Sequence, residues 1–245
     1  MITLALMSTT GGAGRSSLAV AMAHHLSLLG RKVRLVQLDP SNNLAFELGL
    51  SETQIGGLCS AVLNGTALSD ELLPNERGFE ALPFGRCTAD EEFRFLEMCQ
   101  NRPAALIDVL AANMADQDIL ILDLPRWPNL VHNPVLQMTD LNLVVLSPDP
   151  LSVIALDALL PKLLESRGAS YFLMNRFDST KVLHLDLWTL CKTKLGHRLL
   201  PFYFHEDQAL PESVAAGLPL ADYAPHSQLL EDHQKLCNWI DSEIQ

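Results

Sequence analysis

The residues best suited to chemistry fall into a few short groups, and the richest is Thr9-Thr10-Gly11-Gly12-Ala13-Gly14-Arg15-Ser16-Ser17. Glycines at 11, 12 and 14 let successive backbone N–H groups converge on an anion without interference from Cβ atoms. A helix starting near Arg15 would add its unpaired N–H groups and positive dipole end to the same spot. Phosphate-binding loops generally read Gly, four residues, then Gly-Lys-Ser/Thr, between a strand and a helix. Here Thr9 stands in the first glycine's place, and Gly14-Arg15-Ser16 replaces Gly-Lys-Ser. Ser16 keeps a hydroxyl suited to Mg²⁺. Arg15 keeps a charge, but its wide planar fork cannot follow the compact path of a lysine ammonium onto a phosphate chain. The loop therefore supports binding better than hydrolysis. Asp39 and Asp123 make up the other groups. Each has a plainer reading: glycines as an ordinary turn, Asp39-Pro40 as a turn starter, Asp123 as the cap of a buried strand.

The surrounding elements decide between these readings. Ile2 to Met7 reads as a first strand, and Leu18, Met22, Leu26 and Leu29 recur at helical spacing until Gly30. Lys32 to Leu38 reads as a second strand, delivering Asp39 to the same sheet edge as the glycine loop, where ligands of open parallel sheets bind. A helix is expected over Ser51 to Asn64 and a short strand over Phe79 to Phe84. Thr88-Ala89-Asp90-Glu91 has the form of a capping box, opening a helix to about Gln100, and another helix fits Pro103 to Met114. Within Asp118 to Leu124, four apolar residues, Ile119 to Leu122, read as a buried parallel strand ending in Asp123, the position of a carboxylate supporting Mg²⁺. Further strands are expected at Leu141 to Leu146, Tyr171 to Met174 and Arg198 to Leu200. Helices are expected at Leu151 to Ser166, Lys181 to Leu195, Glu206 to Ala216 and Pro225 to Ile244. This alternation predicts an α/β fold, doubly wound, with a mostly parallel sheet flanked by helices, in one domain over residues 1–245.

Composition narrows the function classes. With 17 basic against 29 acidic residues the formal charge is −12, which disfavours non-specific contact with nucleic acid or anionic lipid. Any anion must then be held by local geometry. The cysteines at 59, 87, 99, 191 and 237 are scattered, which implies reduced thiols rather than a disulfide framework or zinc site. The apolar start has no basic flank and breaks at Ser8, so it reads as a strand rather than a signal peptide. No run approaches a membrane span, and a cytoplasmic location is expected.

With these residues laid out, the chain resembles the MinD/ParA family of deviant Walker A ATPases, which has the P-loop NTPase fold, over nearly its whole length. The family's loop reads Lys-Gly-Gly-Val-Gly-Lys-Thr-Thr, against Thr10 to Ser17 here. Its switch I, Asp-x-Asp-Pro, is similar to Gln37-Leu38-Asp39-Pro40, which keeps only the second Asp. Its switch II, Asp-Thr-Pro, resembles Asp123-Leu124-Pro125, and its adenine-reading Asn resembles Asn175. Its closing pattern is similar to Phe204-His205-Glu206-Asp207 and Gly217-Leu218-Pro219. Within that family the likeness is to BcsQ-type proteins of bacterial cellulose biosynthesis, through Val62 to Gly65, Leu82 to Gly85 and a loop short of lysines. The resemblance implies ATP and Mg²⁺ as cofactors, held by Gly11, Gly12, Ala13, Gly14, Arg15, Ser16, Ser17, Asp123 and Asn175, with Ser16 on the metal and Asp39 positioning water. It also implies a homodimer across the nucleotide, acting with other subunits of a cellulose synthase complex on the cytoplasmic side of the inner membrane. Thr10 replaces the family's signature lysine, and Arg15 is expected to compensate in part or to reach across the dimer. Tight binding with slow turnover follows.

Other readings meet specific obstacles. A DNA-segregation role lacks a basic surface, and a membrane-binding tail lacks one too, since Glu231, Asp232, Asp241 and Glu243 face a single Lys235 in the last helix. An electron-transfer relative would need paired cysteines near the switches. A non-enzymatic interaction module remains the alternative favoured by the missing lysines. Arg126-Trp127-Pro128 is expected to be a partner-contact surface, because Arg and aromatic residues are enriched at interface hot spots.

Overall fold

A computed structural model describes residues 2–50, 56–73, 76–112 and 118–244. The chain starts with β1 (Ile2–Ser8), whose six residues after Ile2 are all buried, as a strand covered on both faces requires. The glycine loop follows, and α1 (Arg15–Leu28) leaves it. Next come β2 (Val33–Gln37), the one-turn α2 (Leu44–Glu47), α3 (Leu58–Asn64) and the short β3 (Glu80–Leu82). Helices α4 (Ala89–Asn101) and α5 (Pro103–Ala112) lead into β4 (Ile119–Asp123). The chain continues through α6 (His132–Met138), β5 (Leu141–Leu146), α7 (Pro150–Ile154), α8 (Leu156–Leu164) and β6 (Ala169–Met174). It closes with α9 (Val182–Leu195), α10 (Ala209–Ala215), α11 (Leu220–Tyr223) and α12 (Gln228–Ile244).

The six strands form one parallel sheet in the order β3-β2-β4-β1-β5-β6. Helices cover both faces. Along β1, Ala5 and Met7 point to a layer that includes Phe84, Phe95, Leu106, Leu156 and Trp188, while Leu4 and Leu6 point to one built with Leu18, Met22, Leu236 and Ile240. The register aligns the strand ends that carry the site: Leu6 and Gln37 both lie opposite Asp123, and Ser8 lies opposite Val145. The loops after β1, β2, β4 and β6 therefore open on one edge.

The expected elements recur with shifted ends. The helix expected over 51–64 is found at Leu58–Asn64, with 51–55 outside the described residues. The one expected over 103–114 ends at Ala112, and 113–114 are likewise outside them. The run 151–166 is interrupted at Ala155 and gives two helices. Arg198 to Leu200 makes a lone bridge, Leu199 to Phe172, rather than a strand. Leu200 N–H still donates to Phe172 O at 2.9 Å, but Pro201 has no N–H with which to extend a ladder.

Candidate functional site

The glycine loop is shaped by backbone geometry first. Gly12 and Gly14 adopt φ of 72° and 78°, the left-handed region that glycine enters without steric cost. At Gly14 a second constraint applies, since a Cβ there would stand 2.5 Å from Asn175 Nδ2. That amide donates to Ala13 O at 2.8 Å, so Asn175, arriving from β6, braces the loop across the sheet edge. On the outer side the loop is open: a Cβ built on Gly11 or Gly12 meets no heavy atom within 4 Å. Thr9 is anchored through its hydroxyl to Ser152 O and Oγ at 3.1 and 3.0 Å. The Thr10 hydroxyl oxygen is buried and has no hydrogen-bond partner.

Behind the loop lies a buried ion cluster. Arg15, 8% exposed, turns inward from the first position of α1. Its Nη2 reaches Asp39 Oδ2 at 2.5 Å, its Nε donates to Asp123 Oδ1, and its Nη1 lies 3.4 Å from Ser8 Oγ. Ser16 Oγ donates to the other Asp123 oxygen at 2.7 Å, and Ser41 N–H donates to Asp39 Oδ1 at 2.9 Å. Both oxygens of both carboxylates are thus engaged. Burial works against the guanidinium charge, but Asp123 and Asp39 more than offset it and hold the proton of Arg15 above the ordinary arginine range. Burial pushes the Asp123 carboxyl up, opposed by Arg15 and Ser16. An arginine caught between two acids at contact distance is the arrangement that lets such a buried charge persist.

The loop, Arg15, Ser16, Ser17, Asp39 and Asn175 all border one open cleft of 730 Å³, and Asp123 lies beneath its floor. The sequence reading therefore assembled residues that the fold does bring together. Within this chain the side chain of Arg15 turns to the two acids, a pairing the sequence reading did not anticipate. That reading also missed Glu47, whose Oε1 accepts from Ser17 Oγ at 2.8 Å and whose carboxyl burial pushes up. A four-residue helix gives no periodic signal that would have announced it. Arg176 was missed as well: at φ 59° it donates to Gly12 O at 3.1 Å and pairs with Glu206 at 3.1 Å. Its place directly after Asn175 was the available clue.

The family model for cellulose biosynthesis protein BcsQ matches residues 1–240. The chain belongs to the BcsQ family. The BcsQ protein of Escherichia coli K12 is 29% identical over 246 residues, covering 98% of this chain and 94% of that one. Beyond the BcsQ proteins, the chromosome-partitioning ATPase Soj of Thermus thermophilus is 24% identical over 250 residues, with 99% and 96% of the two chains covered. Among solved structures, the septum site-determining protein MinD of Pyrococcus horikoshii, complexed with Mg-ADP, superposes with TM-score 0.79 at 19% identity, covering 98% and 96%. A putative plasmid partition protein of Borrelia burgdorferi bound to AMPPNP gives 0.80 at 16%, covering 99% of each chain. These likenesses place the BcsQ chain on the MinD/ParA form of the P-loop fold. Among the described residues, no helix is long and apolar enough to cross a membrane.

Proposed function

We propose that this BcsQ-family protein binds ATP with Mg²⁺, forms a homodimer across the nucleotide, and turns it over slowly or not at all while serving other cytoplasmic-side subunits of a cellulose synthase complex. The proposal takes residues 1–245 as one domain and has the protein contact neither nucleic acid nor the bilayer directly. The loop fits the phosphates: Gly11 and Gly12 are open, Gly14 admits no side chain, and the Thr10 hydroxyl is an unpartnered buried polar group beside them. The donor set fits Mg²⁺, which takes one or two carboxylates together with phosphate oxygens; Ser16 and Asp123 would hold it. When bound, the ion would screen phosphate charge. Ala13, Gly14 and Ser17 complete the loop, and Asn175, which braces it through the Ala13 carbonyl, is the residue assigned to the base.

One observation carries the slow turnover. Asp39, the residue suited to orienting water, already gives one oxygen to Arg15 and the other to Ser41 N–H. Each oxygen keeps a lone pair, but the adjacent Arg15 cation offsets the charge of Asp39 and weakens its power to polarise a water. The measurement is the nucleotide content, oligomeric mass and ATP turnover of the purified protein. ATP retained at one per subunit in a dimer, with turnover well below that of ordinary MinD/ParA ATPases, is the expected result. Rapid hydrolysis would overturn the turnover claim, and failure to bind added ATP and Mg²⁺ would reduce the loop to a relic and favour the interaction-module alternative.

A further inference from the structure

The cleft at the glycine loop is short of uncommitted positive charge. Its walls carry Arg15, Arg126 and Arg176 against Asp39, Glu47, Glu206 and Asp207. Arg15 is locked between Asp39 and Asp123, and Arg176 is divided between the Gly12 carbonyl and Glu206. Arg126 differs: it is exposed, borders the cleft, and has no carboxylate partner among the described residues. Its backbone is held firmly. Leu124 N–H donates to Leu6 O at 3.0 Å and Trp127 N–H to Ser8 O at 2.9 Å, so residues 124–127 run along the end of β1. Trp127 turns inward, its ring edge-on to His132 at 4.9 Å between centroids, which leaves Arg126 as the side chain presented to the cleft. The anchor at Ser8 lies two positions before Thr10, whose buried hydroxyl oxygen has no partner.

We propose that Arg126 is a phosphate-binding residue, the free cation that meets the polyphosphate of a nucleotide held by the glycine loop of the same subunit. This rests on the nucleotide reading above. A guanidinium can donate two parallel charge-assisted hydrogen bonds to a phosphate, and a cleft already rich in carboxylates needs such a group before it accepts further negative charge. Direction follows from the sheet. Arg126 leaves it after β4 and Asn175 after β6, on opposite sides of β1. Arg126 should therefore matter more as the phosphate chain lengthens and little for the base.

The test is titration calorimetry of the full-length chain with ATP, ADP and AMP in the presence of Mg²⁺. Arg126→Ala should weaken ATP binding roughly 10- to 100-fold, the order of a charge-assisted hydrogen bond, and AMP binding by far less. Arg126→Lys should recover part of the loss, and Arg94→Ala, which removes an exposed arginine from α4, should change nothing. Where the alanine variant does not fold, Arg126→Gln, judged by the melting temperature of the nucleotide-free protein, gives the same comparison. If the wild type binds ATP and the Arg126 variants bind it within twofold, the assignment of Arg126 fails while the nucleotide reading stands. If the wild type binds no nucleotide, both fail.

Discussion

At the scale of single residues, Arg15 decides what the loop can do. Its spacing after Gly14 was visible in the sequence, as were Asp39 and Asp123, because type and order alone mark a glycine loop and strand-end carboxylates; Asn175 came only through the family resemblance. The direction of its side chain was not visible, since a long arginine beside two acids can face outward to a phosphate or inward to the acids with the same sequence. Burial settles the matter energetically: once Asp123 is covered by the sheet, an unpaired carboxylate there would be costly, and Arg15 is the cation within reach. Arg15→Ala should therefore destabilise the nucleotide-free protein by about 3–5 kcal/mol, the usual cost of breaking a buried pair from one side. Added Mg²⁺ should restore part of that loss by replacing the missing charge. Chemical denaturation with and without the ion measures both effects, and an alanine variant as stable as the wild type would mean that the cluster is not a buried pair. Arg15→Lys should fall between, because a point ammonium cannot bridge both acids as the fork does.

At the scale of elements, the periodic ones were legible and the short ones were not. The capping box at α4 formed as read, with Glu91 N–H donating to Thr88 Oγ1 at 3.3 Å and Glu91 Oε2 accepting from Thr88 N–H at 2.8 Å. One-turn α2 and the seven-residue α6 carry too few residues for a hydrophobic period to emerge. The Leu-Pro-Phe-Gly block had a motif's appearance but a packing cause. Leu58 and Cys59 N–H donate to Pro83 O and Phe84 O, both at 2.9 Å, and a Cβ on Gly57 would lie 2.5 Å from Gly85 N. Two backbones meet there, and Gly85 N–H also donates to Asn42 Oδ1 at 3.0 Å, steadying the loop that carries Asp39. The junction of loop and α1 is equally tight. Gly14→Ala would combine a left-handed φ, costing roughly 1–2 kcal/mol for a residue with a Cβ, with eviction of the Asn175 amide. A lower melting temperature and loss of ATP binding are expected, measured by thermal denaturation and calorimetry. A variant that keeps both would show that the Asn175 brace is dispensable.

At the scale of the molecule, the two helical layers bury histidines that the sequence left without a role. His132 is fully buried in α6, its Nδ1 donating to Asn129 O at 3.0 Å, and His233 in α12 is 3% exposed against Phe204. Burial pushes each down to about 4; Arg15 acts in the same direction on His132, and at His233 the pull of Asp232 is opposed by His25. The sign follows from proton counting. Between an unfolded value near 6.5 and the folded value of about 4, the unfolded chain takes up protons that the folded chain refuses. The stability these histidines allow is complete above pH 6.5 and is lost as pH falls towards 4, by up to about 1.4 kcal/mol per pH unit for each ring. Asp123 and Glu47 act oppositely, because their carboxyls are raised by burial and favour the folded state on acidification. The raw pH profile therefore mixes both. A difference profile separates them: the stability of the wild type minus that of His233→Gln should fall by about 1.4 kcal/mol per unit across this window and stay flat above it. Guanidinium unfolding at a series of pH values measures this difference. A difference that stays flat below pH 6.5 would mean that water reaches the ring and that α12 does not seal its layer of the core.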